Sequence, residues 1–198
     1  METNEDFNAE IEQHKQALST LHPCVAIGTC AKFRKGRLDG ECLDLTTFKD
    51  YDEFEEFCFK MHNDETDPEF MCIAWKNAPK QLVGDKFPDR DMFWFLTTNW
   101  AGMTENDREA FELWLDEFYE PLQGDEDPNE LYIKFGDKYE GCFDSGADFA
   151  EECADQLFET SVDDLPEPYC FHIDWEGVWR GLLDRGYRFQ KGHVFRIR

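Results

Sequence analysis

The sequence predicts an α+β protein: an elongated chain of small domains with an N-terminal three-stranded antiparallel sheet and a helix, a helical middle domain, and a C-terminal antiparallel sheet with helices. Short β-branched and aromatic runs alternate with segments whose apolar residues recur at helical spacing. Stretches rich in proline, glycine and acidic residues, at 78–91 and 121–128, indicate linkers. The 41% hydrophobic and 16% aromatic content supplies a core that a disordered acidic tail would lack.

The linkers and the changes of pattern define the expected domains. They are an N-terminal extension at 1–21, an N-terminal α+β domain at 22–78, a linker with a helical middle domain at 79–126, and a C-terminal α+β domain at 127–198. In the first of the α+β domains, the runs 24–30, 40–45 and 70–75 have the composition of strands. Asp50 is a candidate N-cap for the helix between the last two. The buried face of that helix is predicted by the spacing of Phe54, Phe57, Cys58 and Met61.

The middle domain contains a strongly acidic helix. Thr104 is its expected N-cap, and Asp107 three residues later completes a variant of the capping box. One face is apolar and consists of Ala110, Phe111, Trp114, Leu115 and Phe118. The other face is mostly anionic, and its carboxylates are Glu105, Glu109, Glu112, Asp116 and Glu120. We expect the first face to pack and the second to meet solvent.

The C-terminal domain repeats this division of faces. Residues 131–135 and 139–143 predict two strands, and Asp144 or Ser145 can cap the helix that follows. The inward face of that helix consists of Phe149, Ala150, Cys153, Ala154 and Leu157. Its outward carboxylates are Asp148, Glu151, Glu152, Asp155 and Glu159. A partly helical stretch at 171–183 leads to a closing hairpin of residues 187–190 and 193–197.

Negative charge is concentrated in one part of the chain. Between Glu105 and Glu176 there are 24 aspartates and glutamates but only three basic residues. A compact segment of that size is ~30 Å across, a length over which duplex DNA presents ~17 phosphate charges. We interpret this composition as a surface that imitates a polyanion. The formal net charge of -25 argues against nucleic acid or an anionic membrane as a direct partner and favours a basic protein surface.

The remaining features of the sequence predict the cellular compartment of the protein and whether it holds a cofactor. No run approaches the ~18 apolar residues of a membrane-spanning helix, and the acidic start of the chain is unlike a signal peptide. The eight cysteines are scattered, without the spacing of a zinc site, and are expected to be buried free thiols and not disulfides. We therefore expect a cytoplasmic protein without a metal ion or other cofactor.

Catalytic patterns find little support in the sequence. Residues 125–136 imitate an EF-hand loop, but Glu130 and Gly136 occupy the positions that need glycine and glutamate. No nucleophile elbow or zinc-protease spacing is found, so we predict no catalytic residue and no metal ligand. A hydrolase that uses two carboxylates remains open as an alternative, as does an acidic, soluble protein without mimicry. The six basic residues at 180–198 are expected to neutralise acidic neighbours, and a weak nucleic-acid arm is their alternative function.

Several runs carry a resemblance to a known family. The run HNDETDPEFM at 62–71, preceded by GECLDL at 40–45, resembles the N-terminal part of the ArdA antirestriction proteins. YEGCFDS at 139–145, FHIDW at 171–175 and HVF at 193–195 are similar to their C-terminal part. The resemblance covers about residues 24–197. The chain departs from the family pattern by its N-terminal extension, by Ala74 and Lys76 in a usually acidic run, and by Gly181 in place of an acidic residue.

This resemblance implies a non-enzymatic protein of mobile DNA, an elongated homodimer that mimics bent B-form DNA in the DNA-binding groove of type I restriction-modification enzymes. It adds Asp64, Glu65, Asp67 and Glu69 to the DNA-mimic carboxylates of the two acidic helices. It also implies an antirestriction motif that contributes to subunit contact. The residues assigned to that motif are Leu165, Pro166, Phe171, Ile173, Asp174, Trp175, Trp179, Arg180 and Leu182.

Overall fold

The structure, a computed structural model, describes Ile11 and residues 21–37, 40–158, 162–166 and 172–198. Within these ranges it contains eight α-helices and two three-stranded antiparallel sheets, which confirms the predicted α+β class. The predicted extension at 1–21 lies outside the described residues except for Ile11 and Leu21, and so do Glu159 and Phe171. The seven cysteines inside these ranges are free thiols; Cys24, Cys58 and Cys72 are buried as predicted, whereas Cys142 is exposed and the other three are partly exposed. No helix in the described ranges is both long enough and apolar enough to cross a membrane.

The chain divides into two compact units, the first ending at Tyr132 and the second beginning at Ile133. The expected division into three domains stays a prediction. The sheet of the first unit consists of β1 (Cys24–Thr29), β2 (Cys42–Asp44) and β3 (Phe70–Lys76) in the order β2-β1-β3. All six residues of the central strand β1 are buried, as its apolar sequence predicts.

Two helices accompany this sheet, α1 (Cys30–Arg34) and α2 (Tyr51–Met61). Asp50 is the N-cap of α2, because its carboxylate accepts the backbone N–H of Glu53 at 3.0 Å. Phe54 of α2 is fully buried, and its ring centroid lies 5.3 Å from that of Phe48 and 5.5 Å from that of Phe93. The predicted apolar stripe therefore forms an aromatic core, with a 3₁₀ turn at Leu45–Thr47 joining β2 to this helix.

The helical part of the first unit begins with α3 (Arg90–Trp94), which continues as a π-helical segment, Phe95–Trp100. The Trp100 indole N–H donates to the backbone oxygen of Asn77 at 2.6 Å and ties the segment to the end of β3. Helix α4 (Glu105–Glu117) follows with the predicted capping box between Thr104 and Asp107. The apolar face of α4 is buried, as its spacing predicts.

The expected strand at 131–135 is wrong, because these residues belong to helix α5 (Pro128–Gly136). Proline is favoured in the first turn of a helix, and the Asp127 carboxylate accepts the backbone N–H of Asn129 at 2.8 Å. Leu131 and Phe135, four residues apart, are buried, whereas Ile133 is 64% exposed. In a strand, the alternation would have placed Leu131, Ile133 and Phe135 on one face.

The second unit contains β4 (Tyr139–Cys142), α6 (Gly146–Glu152), α7 (Ala154–Leu157), α8 (Trp175–Asp184), β5 (Tyr187–Gln190) and β6 (His193–Arg196), with a 3₁₀ turn at Val162–Asp164. Its sheet has the order β4-β6-β5, and the predicted closing hairpin is present. Lys191 and Gly192 both have positive φ, 50° and 87°, as a tight two-residue hairpin turn requires.

Helices α6 and α8 pack on this second sheet. Their core contains Phe149 and Ala150 from α6, Trp179 and Leu182 from α8, and Val194 from β6. At Gly146 the two helices approach closely, since a Cβ built there would lie 2.2 Å from the Trp179 ring. The core of the second unit thus depends on a glycine at the start of its acidic helix.

Candidate interaction surface

Helix α4 presents carboxylates on one side of the first unit. Glu105, Glu109 and Asp116 are exposed, and Glu112 is partly exposed. Glu120, expected on the same helix, lies after its end at Glu117, where it is exposed. The opposite face is buried, with Ala110 and Phe111 at 0% exposure. Acidic side chains in the first turn also interact favourably with the helix dipole. The sequence therefore produces a helix with one packed face and one anionic face.

The one basic residue of α4 points away from the anionic face. Arg108 is only 7% exposed, and its guanidinium lies 5.1 Å above the Trp100 ring. It donates to the backbone oxygens of Trp100 at 3.1 Å and Ala101 at 3.3 Å, and to that of Leu21. Burial lowers the pKa of this guanidinium. The cation therefore holds backbone oxygens inside the fold, and among the carboxylates of α4 it interacts electrostatically with Glu105.

Two carboxylates of α4 also hold the chain that follows β3. The Glu112 carboxylate accepts the backbone N–H of Lys80 at 3.3 Å. The Asp116 carboxylate accepts the side-chain N–H of Gln81 at 2.9 Å, and Gln81 also donates to the Glu112 backbone oxygen. These two residues therefore have a structural function in addition to their charge.

The carboxylates of the acidic loop at 62–69 also divide into those that contact neighbouring segments and those that face solvent. Asp64 forms an ion pair with Lys32 at 2.7 Å, and this hydrogen bond lowers the pKa of the Asp64 carboxyl. Glu65 accepts the hydroxyl of Thr29 at 2.7 Å. Asp67 and Glu69 are exposed. Asp64 and Glu65 therefore hold neighbouring segments, whereas Asp67 and Glu69 face solvent.

In the second unit, the acidic side chains lie on α6 and α7. Ser145 caps α6 by accepting the backbone N–H of Asp148 at 3.1 Å, and the Asp148 carboxylate accepts the Ser145 hydroxyl at 2.7 Å. Glu151, Glu152 and Asp155 are exposed. Asp155 also accepts the backbone N–H of Val162 at 3.4 Å. The structure therefore gives each unit its own acidic helical face.

A scan against protein-family models matches residues 25–195 of this chain to the family described as Antirestriction protein (ArdA). The chain belongs to the ArdA family. Comparison with curated proteins and with solved structures gave no match. ArdA proteins are antirestriction inhibitors and not a known enzyme family, and membership implies interaction with restriction enzymes.

The stretch that resembles the ArdA antirestriction motif combines core and surface residues. Trp179 and Leu182 are buried in the core of the second unit. Asp174 caps α8 through the backbone N–H of Gly177 at 2.9 Å and pairs with Arg180 at 3.3 Å. Ile173 and Trp175 are half-buried, whereas Leu165 and Pro166 are exposed. The assignment of this stretch to a subunit contact stays a prediction.

Hydrogen bonds lower the pKa values of three carboxyl groups in the described part of the chain. The pKa values of Asp50 and Glu126 are lowered, because their carboxylates accept backbone N–H groups, first those of Glu53 and Gln123 respectively. Together with Asp64, these groups are held in their charged form. Within the described ranges, no group of three or more histidine, cysteine or acidic residues could hold a metal ion.

Sequence reasoning missed the inward position of Arg108 and the anchoring by Glu112 and Asp116. The first could have been found, because Arg108, Phe111 and Leu115 recur at i, i+3 and i+7 on the buried face of α4. The second could not, because the partners at 80–81 lie about 30 residues earlier in the chain. Contacts of that separation leave no periodic signal.

Proposed function

We propose that this ArdA protein mimics B-form DNA and occupies the DNA-binding groove of type I restriction-modification enzymes. It blocks cleavage, and it blocks methylation where the same groove serves both reactions. The observation that supports this proposal is the separation of charge on α4: carboxylates face outward, and Arg108, the one cation of that helix, is buried. Lysines placed among these carboxylates would form ion pairs and stabilise the helix, but α4 has none, so its exposed face stays negatively charged.

The mechanism requires binding and no catalysis. Arginine and lysine side chains that normally hold DNA phosphates would instead form charge-assisted hydrogen bonds with exposed carboxylates such as Glu109 and Glu152. Complementary fields accelerate encounter and suppress wrong partners, and salt weakens both effects. DNA and this protein then compete for one basic groove.

Assembly and origin belong to the same proposal. We place the protein in the cytoplasm, as a homodimer in which residues 165–182 contribute to subunit contact, and we assign it to mobile DNA. The exposed Leu165 and Leu183 support a contact surface on the second unit, since they are 38% and 36% exposed.

Light scattering over a concentration series should give the mass of two chains. A mass of one chain at every concentration would contradict the dimer.

The test of the function is a DNA-cleavage assay with a purified type I restriction-modification enzyme. We expect inhibition near stoichiometric amounts, relieved by excess duplex DNA and by increasing salt. No inhibition of several active type I enzymes would contradict the proposal. Inhibition that DNA and salt leave unchanged would contradict competition for the groove.

Charge variants make the assay specific for mimicry. A quadruple variant, Glu105→Gln, Glu109→Gln, Glu151→Gln and Glu152→Gln, removes four exposed charges. It should weaken inhibition by between about fourfold and several hundredfold, because each lost pair contributes ~0.2–1 kcal/mol. The matched control replaces the same four residues with aspartate and keeps the charge. It should retain most of the inhibition. Equal loss in both variants would show that shape, and not charge, governs binding.

A further inference from the structure

A groove in the first unit lies between the segment after β3 and the loop that follows α4. Its volume is about 390 Å³. The side chains that line it include the apolar Trp75, Phe87 and Leu122. Four acidic residues line the same groove, and they are Asp85, Asp89, Asp125 and Glu126. Apolar rings and several carboxylates thus share one concave site.

The aromatic walls are fixed by contacts inside the first unit. The Trp75 indole N–H donates to the backbone oxygen of Gly84 at 2.8 Å. The Phe87 ring stacks on Phe54, with the centroids 5.4 Å apart and the planes 6° from parallel. The backbone N–H of Cys72 in β3 donates to the backbone oxygen of Asp85 at 2.8 Å and holds the segment after β3 against the sheet. The groove is therefore preformed, which lowers the ordering cost of binding.

The four carboxylates of the groove differ in the contacts that they make within the fold. Asp89 caps α3 through the backbone N–H of Met92 at 2.9 Å. Glu126 accepts the backbone N–H groups of Gln123 at 2.6 Å and Gly124 at 2.8 Å. Asp85 and Asp125 are exposed. Among the described residues that line the groove, Lys86 is the one cation, so the carboxylates outnumber it four to one.

We propose that this groove binds an arginine side chain presented by a basic protein partner. A guanidinium is planar, so one face can stack on the Trp75 ring while its edge donates to Asp85 or Asp125. The ammonium of lysine offers no flat face, and phosphate groups would be repelled by the carboxylates. The inference rests on the proposed function, because the DNA-binding groove of a restriction enzyme is the basic partner. It adds a shaped anchor to a surface that otherwise binds by distributed charge.

The proposal is tested first with peptides and the full-length protein. The Trp75 indole N–H gives an NMR signal that Trp75→Phe identifies by its loss. We expect this signal to shift during titration with acetyl-Gly-Arg-Gly-amide at low salt. The control is the same peptide with citrulline, which has nearly the same shape as arginine but no charge, and it should bind at least fivefold more weakly. Equal shifts with both peptides, or none with arginine, would overturn the proposal.

Paired variants separate the groove from general negative charge. Asp85→Asn with Asp125→Asn should weaken arginine-peptide binding up to about fivefold, as the loss of one exposed ion pair predicts. Asp67→Asn with Glu69→Gln removes the same charge from exposed residues outside the groove lining, and binding should change less than twofold. Equal weakening by both pairs would overturn the site. Circular dichroism of each variant confirms that it is folded.

The cleavage assay distinguishes this inference from the proposed function. If the groove contributes as an anchor, the Asp85 and Asp125 variant loses more inhibition than the Asp67 and Glu69 variant. Peptide binding without any inhibition of cleavage would overturn the proposed function and leave the groove established. Inhibition without a response of the Trp75 signal would overturn the groove and leave the proposed function established.

Discussion

Helix α4 of the first unit and the helix pair α6–α7 of the second unit have the same design in sequence. Each begins with a hydroxyl cap and an aspartate three residues later, and each buries an apolar face beneath a row of carboxylates. They differ in how they are anchored. Helix α4 is held by a buried cation, Arg108, whereas α6 is held by the close approach of Gly146 to Trp179.

The acidic faces differ in the same way. On α4, Glu112 and Asp116 hold the chain at residues 80–81. On α6, Glu151 and Glu152 are exposed. Carboxylates that look equivalent in sequence therefore divide into those that support the fold and those available to a partner. Substitution of the two kinds should separate stability from inhibition.

The largest loss of stability is expected when the buried hydrogen bonds of Arg108, which anchor α4, are removed. Arg108→Met removes the donor to the backbone oxygens of Leu21, Trp100 and Ala101. Buried acceptors without a donor are costly, so the free energy of unfolding should fall by about 3 kcal/mol. Urea denaturation followed by tryptophan fluorescence measures this change.

The control for Arg108 is an arginine at the surface. Arg185→Met, at the exposed end of α8, should change the free energy of unfolding by less than about 0.5 kcal/mol. Similar stability of the two variants would mean that Arg108 is not an anchor. The difference in anchoring between α4 and α6 would then be wrong.

The anchor of α6 is tested by glycine substitutions. Gly146→Ala places a methyl group 2.2 Å from the Trp179 ring, and the resulting displacement should cost about 2 kcal/mol of unfolding free energy. Gly181→Ala in α8 meets nothing within 4 Å and should stabilise the protein by about 0.5 kcal/mol or more, because alanine favours helix. Opposite signs in thermal denaturation support the close approach. Stabilisation by both would refute it.

The two anchors also show what the sequence could predict. Strand and helix positions follow from local patterns, as at β1 and at the Asp50 and Thr104 caps. The error at 131–135 arose because a short run rich in apolar residues, interrupted by Lys134, fits both a strand and a helix, and the local signals for the helix are Asp127 and Pro128 before it. The partners of Glu112, Asp116 and Gly146 are long-range, so no local pattern encodes them.

The carboxylates that support the fold are tested by paired alanine variants. Glu112→Ala with Asp116→Ala removes the acceptors for residues 80–81, so the free energy of unfolding should fall by about 1 kcal/mol. Glu151→Ala with Glu152→Ala should leave stability within about 0.5 kcal/mol, since like-charge repulsion is also relieved. Chemical denaturation of both variants checks this. Equal destabilisation would remove the distinction between the two acidic faces.

The smallest change in stability is expected in the acidic loop of the first unit, where Asp64 pairs with Lys32. Because the hydrogen bond from Lys32 lowers the pKa of Asp64 in the folded state, the pair stabilises the protein above the ordinary carboxyl pKa of 3.8. That contribution is lost as the pH falls through the folded-state pKa. Asp64→Asn should therefore be slightly less stable than the original protein at pH 7, and the difference should be smaller at pH 3, measured by urea denaturation. Asp67→Asn, which removes an exposed charge, is the control and should show no such convergence. A constant difference at both pH values would show that Asp64 acts through shape and not through its charge.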